Sequence, residues 1–444
     1  MKNLLSCAGA VAEAAEAWRV SSRSTSVSFE ANRLKQVQTS DASSVALRIF
    51  HKGKIGFAVA SGSDDVARLV EMAAETAEFG LPVKFDFPML GGYAQVNTFD
   101  PAVYRMKLEE LVAMGNYLVD KIRKHTPGIL CDVQVSRGLS SFVLASLRGG
   151  EARYEKSSFS IGVEGMLING TDMLFVGEGE GSCRMPDGID ALADRVIKQL
   201  ELARKQASVS TGILPVIFTP TGVANVLLEP LLMAFSGKLV HDGTSPLEGR
   251  LGEKVFAENL SVWDDATLDY CLASSPFDDE GVPTGKLPLI QAGVVANFYY
   301  DLQTAAQAGV QSTGSGRRGG GTLPAPSLSS IVIKEGKASF AEMVRDMQEG
   351  LVVEQLIGAG QGNTLGGDFG GNVLLGYKVE NGKITGRVKD TMLSGNVYEA
   401  LRQVVSGREA RWVGGTVFTP PLYCPAISVA ASPQVDAAKE GGKS

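Results

Sequence analysis

Two adjacent arginines in a glycine run, three consecutive acids, and a few histidines and cysteines are the residues here that could do chemistry. The arginines lie in TGSGRRGGG (313–321), where GSGRRG (Gly314 to Gly319) matches the G-x-G-x-x-G of dinucleotide-binding loops. Such a loop needs a strand before the glycines and a helix after them, so that the helix N-terminus faces the pyrophosphate. DLQTAAQAG, before the motif, is itself helical in pattern, and GGGTLPAP, after it, cannot start a helix. A nucleotide cradle is excluded on both sides. What remains is a basic loop whose arginines face solvent or a carboxylate, or grip an anion in bidentate fashion.

The acids are Asp278, Asp279 and Glu280 in SSPFDDEGVPT. Adjacent side chains cannot all converge on one ion, which favours a charged turn over a cation site. The histidines, His51, His125 and His241, show no helical zinc-pair spacing and read as solvent-facing or capping. No G-x-S-x-G elbow and no Walker loop is present. A Ser-His-Asp arrangement stays open, because its members need not be adjacent. Five cysteines (Cys7, Cys131, Cys183, Cys271 and Cys424) are odd in number and carry no C-x-x-C, the usage of reduced thiols in a cytoplasm. GAGQGNTLGGDFGGN (358–372) fits a ligand-approach loop and a set of bulges and turns equally well.

These residues need elements to position them. The chain has 444 residues, enough for about two or three domains. Its net charge of −7 argues against broad nucleic-acid binding, which needs a basic face. No apolar run is long enough to span a membrane, and Glu13 and Glu16 break the N-terminal one, which reads as an amphipathic helix over 8–18. SVSFEANRLKQVQT predicts a hairpin turning at Ala31-Asn32, with Val27, Phe29, Leu34 and Val37 on one side. A second hairpin turns at Lys52-Gly53. Ser63 or Asp64 caps the helix that follows. Further helices fall at 107–124 and 190–207, with strands across 128–180. SVSTG (208–212) is a polar break, after which LPVIFT, a helix near 220–236 and the hairpins KLPLIQAGVVANFYYD and YKVENGKITGRV follow. Short helices near 302–308, 339–349 and 395–407 punctuate this half. The pattern predicts an α+β chain of two domains. An N-terminal mixed lobe with antiparallel hairpins (1–207) precedes a β-rich C-terminal lobe with a few helices (212–431) and a flexible tail (432–444).

Blocks of the second half, in order, are LGEKV (251–255), SSPFDDEGVPT (274–284), DLQTAAQAGVQSTGSGRR (301–318), GGDFGGNVLLGYKVENGKIT (366–385) and SGN (394–396). Together they resemble the TldD/PmbA family, whose members were named modulators of DNA gyrase and are understood as peptide-processing proteases. The likeness covers 212–431, and the first half is compatible with the family's N-terminal hairpin region. In TldD-type members an H-E-x-x-x-H helix and a C-terminal cysteine hold zinc, which activates water. PmbA- or TldE-type members share the fold without those histidines and pair with TldD.

Alignment on Gly243-Thr244-Ser245 places the motif on LEPLLM (228–233). Leu228 and Met233 then stand in the histidine positions, Glu229 keeps the glutamate position as a vestige, and Cys424 falls near the third ligand. Leucine cannot bind zinc, and a thioether is a poor ligand for it. A site built from His241, Cys424 and Asp368 has no support in spacing.

The resemblance thus implies a cytoplasmic PmbA-branch subunit, inactive alone, with no cofactor of its own. Zinc would sit on a TldD-type partner, and unfolded or small peptides would be the substrates. Arg317, Arg318 and Asp368 are candidate peptide contacts, and no membrane or direct nucleic-acid partner is expected. The alternative is a homodimeric, non-catalytic peptide-binding or regulatory protein.

Overall fold

The computed structural model describes residues 1–62, 65–319 and 322–431. The expected tail, the expected cap residues Ser63 and Asp64, and the last two glycines of the glycine run lie outside these. The fold is α+β.

The first half is built on long antiparallel strands. These are β1 (Ala14–Glu30), β2 (Arg33–His51), β3 (Lys54–Ser61), β4 (Leu130–Ser146), β5 (Glu151–Asn169) and β6 (Asp172–Ser182), ordered β3-β2-β1-β4-β5-β6. The two predicted turns close as expected: Ala31, Asn32, Lys52 and Gly53 all take positive φ, as a two-residue hairpin loop requires. Three helices buttress this sheet: α2 (Val66–Ala77), capped by the carboxylate of Asp65, α3 (Leu108–His125) and α4 (Asp190–Leu202). Gly115 sits where α3 crosses Phe29; a Cβ there would lie 2.2 Å from the ring, so only glycine lets helix and ring meet.

Two expectations need correction. The N-terminal helix, α1, is Lys2–Ala8, and the stretch expected to continue it is strand. Alanine and glutamate favour helix by weak local propensity. The segment is instead laddered on both sides, Trp18 opposite Ala46 and Leu144, and that pairing prevails. Glu16, read as part of a polar helix face, is therefore buried. Leu34 and Val37 do not join Val27 and Phe29 in the core. They lie on the part of β2 that is exposed on both faces, beyond its pairing with β3.

The second half centres on a closed ring of strands. β7 (Gly212–Phe218), β8 (Glu349–Ile357), β9 (Asp368–Glu380), β11 (Thr391–Asn396) and β12 (Leu422–Ala431) pair in the cycle β8-β7-β12-β11-β9-β8, and β10 (Lys383–Arg387) hangs on β9. Only β7 and β8 run parallel in that ring. A second sheet of shorter strands, with Val262–Asp265 and Ile331–Ile333 at its centre, packs beside it.

Alternation along the ring strands serves two cores. Val216, Phe218, Leu351 and Val353 enter the core of the second half. Ile217, Val352, Tyr377 and Val379 enter a core that also holds Phe29, Ile122 and Leu200 of the first half. The polar break at 208–212 separates two architectures, but their packing is continuous.

Candidate functional site

The segment after β7 carries the residues aligned with the motif. Thr219 caps it, its hydroxyl accepting from the Gly222 N–H at 3.2 Å. The chain is α-helical over Pro220–Gly222, widens to a π-turn over Val223–Leu227, and continues as α5, Leu228–Met233. Pro230 explains the widening. It has no N–H for the carbonyl of Val226 and its ring would crowd that group, so the Leu228 N–H bonds instead to Val223, five residues back.

On α5, Leu228 is 4% exposed and belongs to the core, Met233 is half-buried, and Glu229 faces solvent. The glycine-rich loop lies beside Glu229: a Cβ at Gly360 would sit 3.5 Å from its Oε2. Gly360 also bridges to Gly370, and Asp368 opens β9 in the same neighbourhood, accepting from Asn396 Nδ2 at 2.8 Å. Glu229, Asp368 and the glycine loop therefore come together.

Cys424 does not complete a metal site with them. It sits in the β12–β7 ladder opposite Val216, is 0% exposed, and burial pushes its thiol up to about 12, so it stays protonated. His241 is exposed. Among the described residues no three His, Cys, Asp or Glu side chains are grouped to hold a metal. The donors aligned with the motif therefore do not fit zinc.

Arg317 and Arg318 lie elsewhere, and the structure gives them partners within the chain. The two motifs that stood apart in the sequence pack on each other between the halves. The Arg318 N–H donates to Asp279 Oδ2 at 2.7 Å, and the Gly316 N–H to Asp278 Oδ2 at 2.8 Å. The Arg318 side chain, 6% exposed, pairs with Glu16 of β1. Arg48 of β2 donates Nε to Glu16 and Nη1 to Glu280, at 2.8 and 2.7 Å. Arg317 donates to Ser329 at 3.1 Å and faces Asp279 at 3.8 Å.

The glycines of the motif serve this packing. Gly314 has φ +69° against the Pro283 carbonyl, and a Cβ on Gly316 would lie 2.4 Å from Glu280 Oε2. Of the two settings expected for the loop, solvent or a carboxylate, the arginines take the second: Arg318 meets Glu16 and Arg317 faces Asp279, an internal clamp that Arg48 extends to Glu280. Burial, then the charge of Glu280, pushes Asp278 up to about 8, against the pull of backbone N–H donors. Burial likewise raises Glu16, opposed by Arg48 and Arg318.

Comparison with known proteins gives the same answer as the blocks of sequence. The family profile described as PmbA/TldA metallopeptidase C-terminal domain matches residues 211–431, and that of PmbA/TldA metallopeptidase domain 1 matches 15–77. The chain belongs to the PmbA/TldD family. An uncharacterized protein of Methanocaldococcus jannaschii is 29% identical over 392 residues, covering 87% of this chain and 89% of that one. A protein named metalloprotease in Methanothermobacter thermautotrophicus is 27% identical, covering 86% and 85%. Metalloprotease PmbA of Escherichia coli O157:H7 is 26% identical, covering 86% and 84%. The solved structure of TldE from Thermococcus kodakarensis superposes with a TM-score of 0.87 at 23% identity, covering 97% of this chain and 100% of that one. That likeness shows the PmbA/TldD fold.

Sequence reasoning missed Glu16, Arg48, Glu354 and Tyr377. Glu16 and Arg48 gave no signal, since their partners lie far along the chain. Glu354 gave one: it is an acid at the end of the apolar run Leu351-Val352-Val353.

Proposed function

We propose that this chain is the metal-free, PmbA/TldE-type subunit of a peptidase acting on small or unfolded peptides, with zinc carried by a TldD-type partner. The observation that carries this is α5. Where the family's zinc-binding branch has histidines, Leu228 is packed into the core and Met233 offers only a thioether. The buried, protonated Cys424 supports the same conclusion. The relatives' names support a proteolytic setting. In this scheme Glu229 is a vestige of the motif. Asp368 and the glycine loop beside it supply backbone and carboxylate contacts to extended peptide. Arg317 and Arg318 act as structural ties.

Five free cysteines support a reducing cytoplasm, and among the described residues no helix is long and apolar enough to cross a membrane. One observation favours the homodimeric peptide-binding alternative as well. The stretch of β2 from Arg33 to Ser43, exposed and beyond β3, offers a strand edge that a second copy, a partner or a peptide could extend.

Metal analysis and a peptide-cleavage assay of the purified chain, alone and mixed with a TldD-type partner, test the proposal. The expected result is no stoichiometric zinc and no cleavage alone, with cleavage on mixing. Stoichiometric zinc in the isolated chain, or cleavage by it after chelation, would overturn it. A stable homodimer that binds peptides but leaves cleavage by the partner unchanged would favour the alternative.

A further inference from the structure

A cavity of about 420 Å³ opens between α4 of the first half and the ring of the second, away from Glu229 and Asp368. Its deep wall is built by a defect in β8. The β8–β9 register shifts between Val353 and Gln355, leaving Glu354 as the extra, unpaired residue. A bulge of this kind re-aims a side chain and recurs beside binding sites. Here it places a carboxyl next to Tyr377 of β9 and Glu178 of β6, each lining the cavity.

Most polar groups around the cavity are satisfied. Glu178 accepts from Arg411 at 2.8 Å and from Gln199 at 3.3 Å, while Arg195 lies 3.5 Å from it and pairs with Glu180. Glu409 accepts from the Phe340 N–H at 2.9 Å. Two groups are not. Tyr377 is 0% exposed and its hydroxyl has no hydrogen-bond partner. Glu354 is 9% exposed; its Oε2 accepts from Thr219 at 2.9 Å, and its Oε1 has no partner among the described residues. The Lys198 ammonium, exposed at the mouth, makes no ion pair among the described residues and lies 6.0 Å from the centre of the Phe340 ring. A buried hydroxyl without a partner is costly unless something supplies one.

The charges around the cavity leave one acid at depth and one base at the mouth without an ion-pair partner among the described residues, Glu354 and Lys198. Its buried end is acidic, with Glu354 and Glu178, whose side chain is 3% exposed. Arg411 lies beside Glu178 there and offsets its charge, while the mouth carries exposed Lys198 and Glu409 and the Arg195 side chain, which Glu180 pairs. Leu202, Val352, Phe340 and Pro421 supply apolar wall between them. Burial first, then the charge of Glu178, pushes Glu354 up to about 7, against the Thr219 bond, Arg411 and Lys198. A cation entering this end would draw off that proton and take its place.

We propose that this cavity binds a small zwitterion, a free α-amino acid or a dipeptide, with its ammonium on Glu354 and Tyr377 and its carboxylate on Lys198 at the rim. The volume lies in the range of small-molecule sites, and an amine-first entry brings the ammonium to the free oxygen of Glu354 and leaves the carboxylate on the side of the unpaired Lys198. Nothing in this site depends on the metal-free assignment of α5.

Titration calorimetry of the purified full-length chain with leucine and with Ala-Leu tests it. One equivalent should bind, and N-acetylleucine and leucinamide, each lacking one charge, should bind about tenfold or more weakly. Lys198→Ala, a surface change that leaves the fold intact, should weaken leucine by a similar factor, as should Glu354→Gln and Tyr377→Phe. Apparent affinity should rise from pH 6 to pH 8 and level off, with proton release on binding. The proposal is overturned if neither probe binds, or if Lys198→Ala leaves affinity unchanged. Equal binding of N-acetylleucine, or affinity that falls as pH rises, would instead mark an anion site and overturn it as well.

Discussion

Arg48→Met is the perturbation that tests the clamp between the halves most directly. Methionine keeps the aliphatic stem against Phe85 and Phe87, whose ring centroids lie 5.1 and 5.0 Å from the guanidinium, and removes only the charge and its donors. Two charge-assisted bonds go, to Glu16 and Glu280, in a place where the three side chains are 2%, 2% and 0% exposed. Glu16 keeps Arg318, and Glu280 keeps the Leu302 N–H at 2.7 Å but loses its guanidinium. Stranding a buried charge in this way costs on the order of 3–5 kcal/mol. The stranded carboxylate relieves that cost by taking a proton. Its folded pKa then rises above its unfolded value, so the added instability is small at pH 5 and grows as pH climbs toward 8. Chemical denaturation of wild type and variant at both pH values measures this. Adding Glu280→Gln to the variant should recover much of the loss, because it removes the stranded charge. A penalty below about 1 kcal/mol, or one that is flat between pH 5 and 8, would refute the claim that this cluster is a buried, mutually compensated unit.

Two further outcomes follow from burial. Glu354 holds its proton to about 7 in the folded chain against 4.5 as its ordinary value, so wild type loses stability as pH rises between these limits. Glu354→Gln cannot titrate and should gain on wild type by on the order of 3 kcal/mol between pH 5 and pH 8; a pH-independent difference in denaturation midpoints would count against it. Of the five cysteines only Cys7 is exposed, while burial pushes Cys131 and Cys183 up to about 11 and Cys424 to about 12. A chromogenic disulfide reagent should therefore find one fast thiol in the native chain and the rest only after denaturation. Two or more fast thiols would contradict the burial of Cys424 in the β12–β7 ladder.

What the sequence made legible was local, and what it hid was distant. Lys52-Gly53 and Asn381-Gly382 could be placed as turns because a two-residue hairpin demands positive φ, a demand these residues meet by themselves. The helix at Leu302–Ala308 was visible for the same kind of reason: Asp301 caps it and Gly309 ends it in the left-handed region.

By contrast, Ala14–Trp18 reads as helix until β2 and β4 are known to flank it, since ladders outweigh alanine's weak preference. The partner of Arg318 was hidden for the same reason. Glycines around two arginines suggest an open loop, yet Gly316 is small because Glu280 sits against it, and Arg318 is charged because Glu16 lies buried across from it. Those partners are 36 and 302 residues away. A buried ion pair is written in the chain as two unremarkable charges. Only the fold, by removing both from water together, turns them into a constraint on each other and on how the two halves meet.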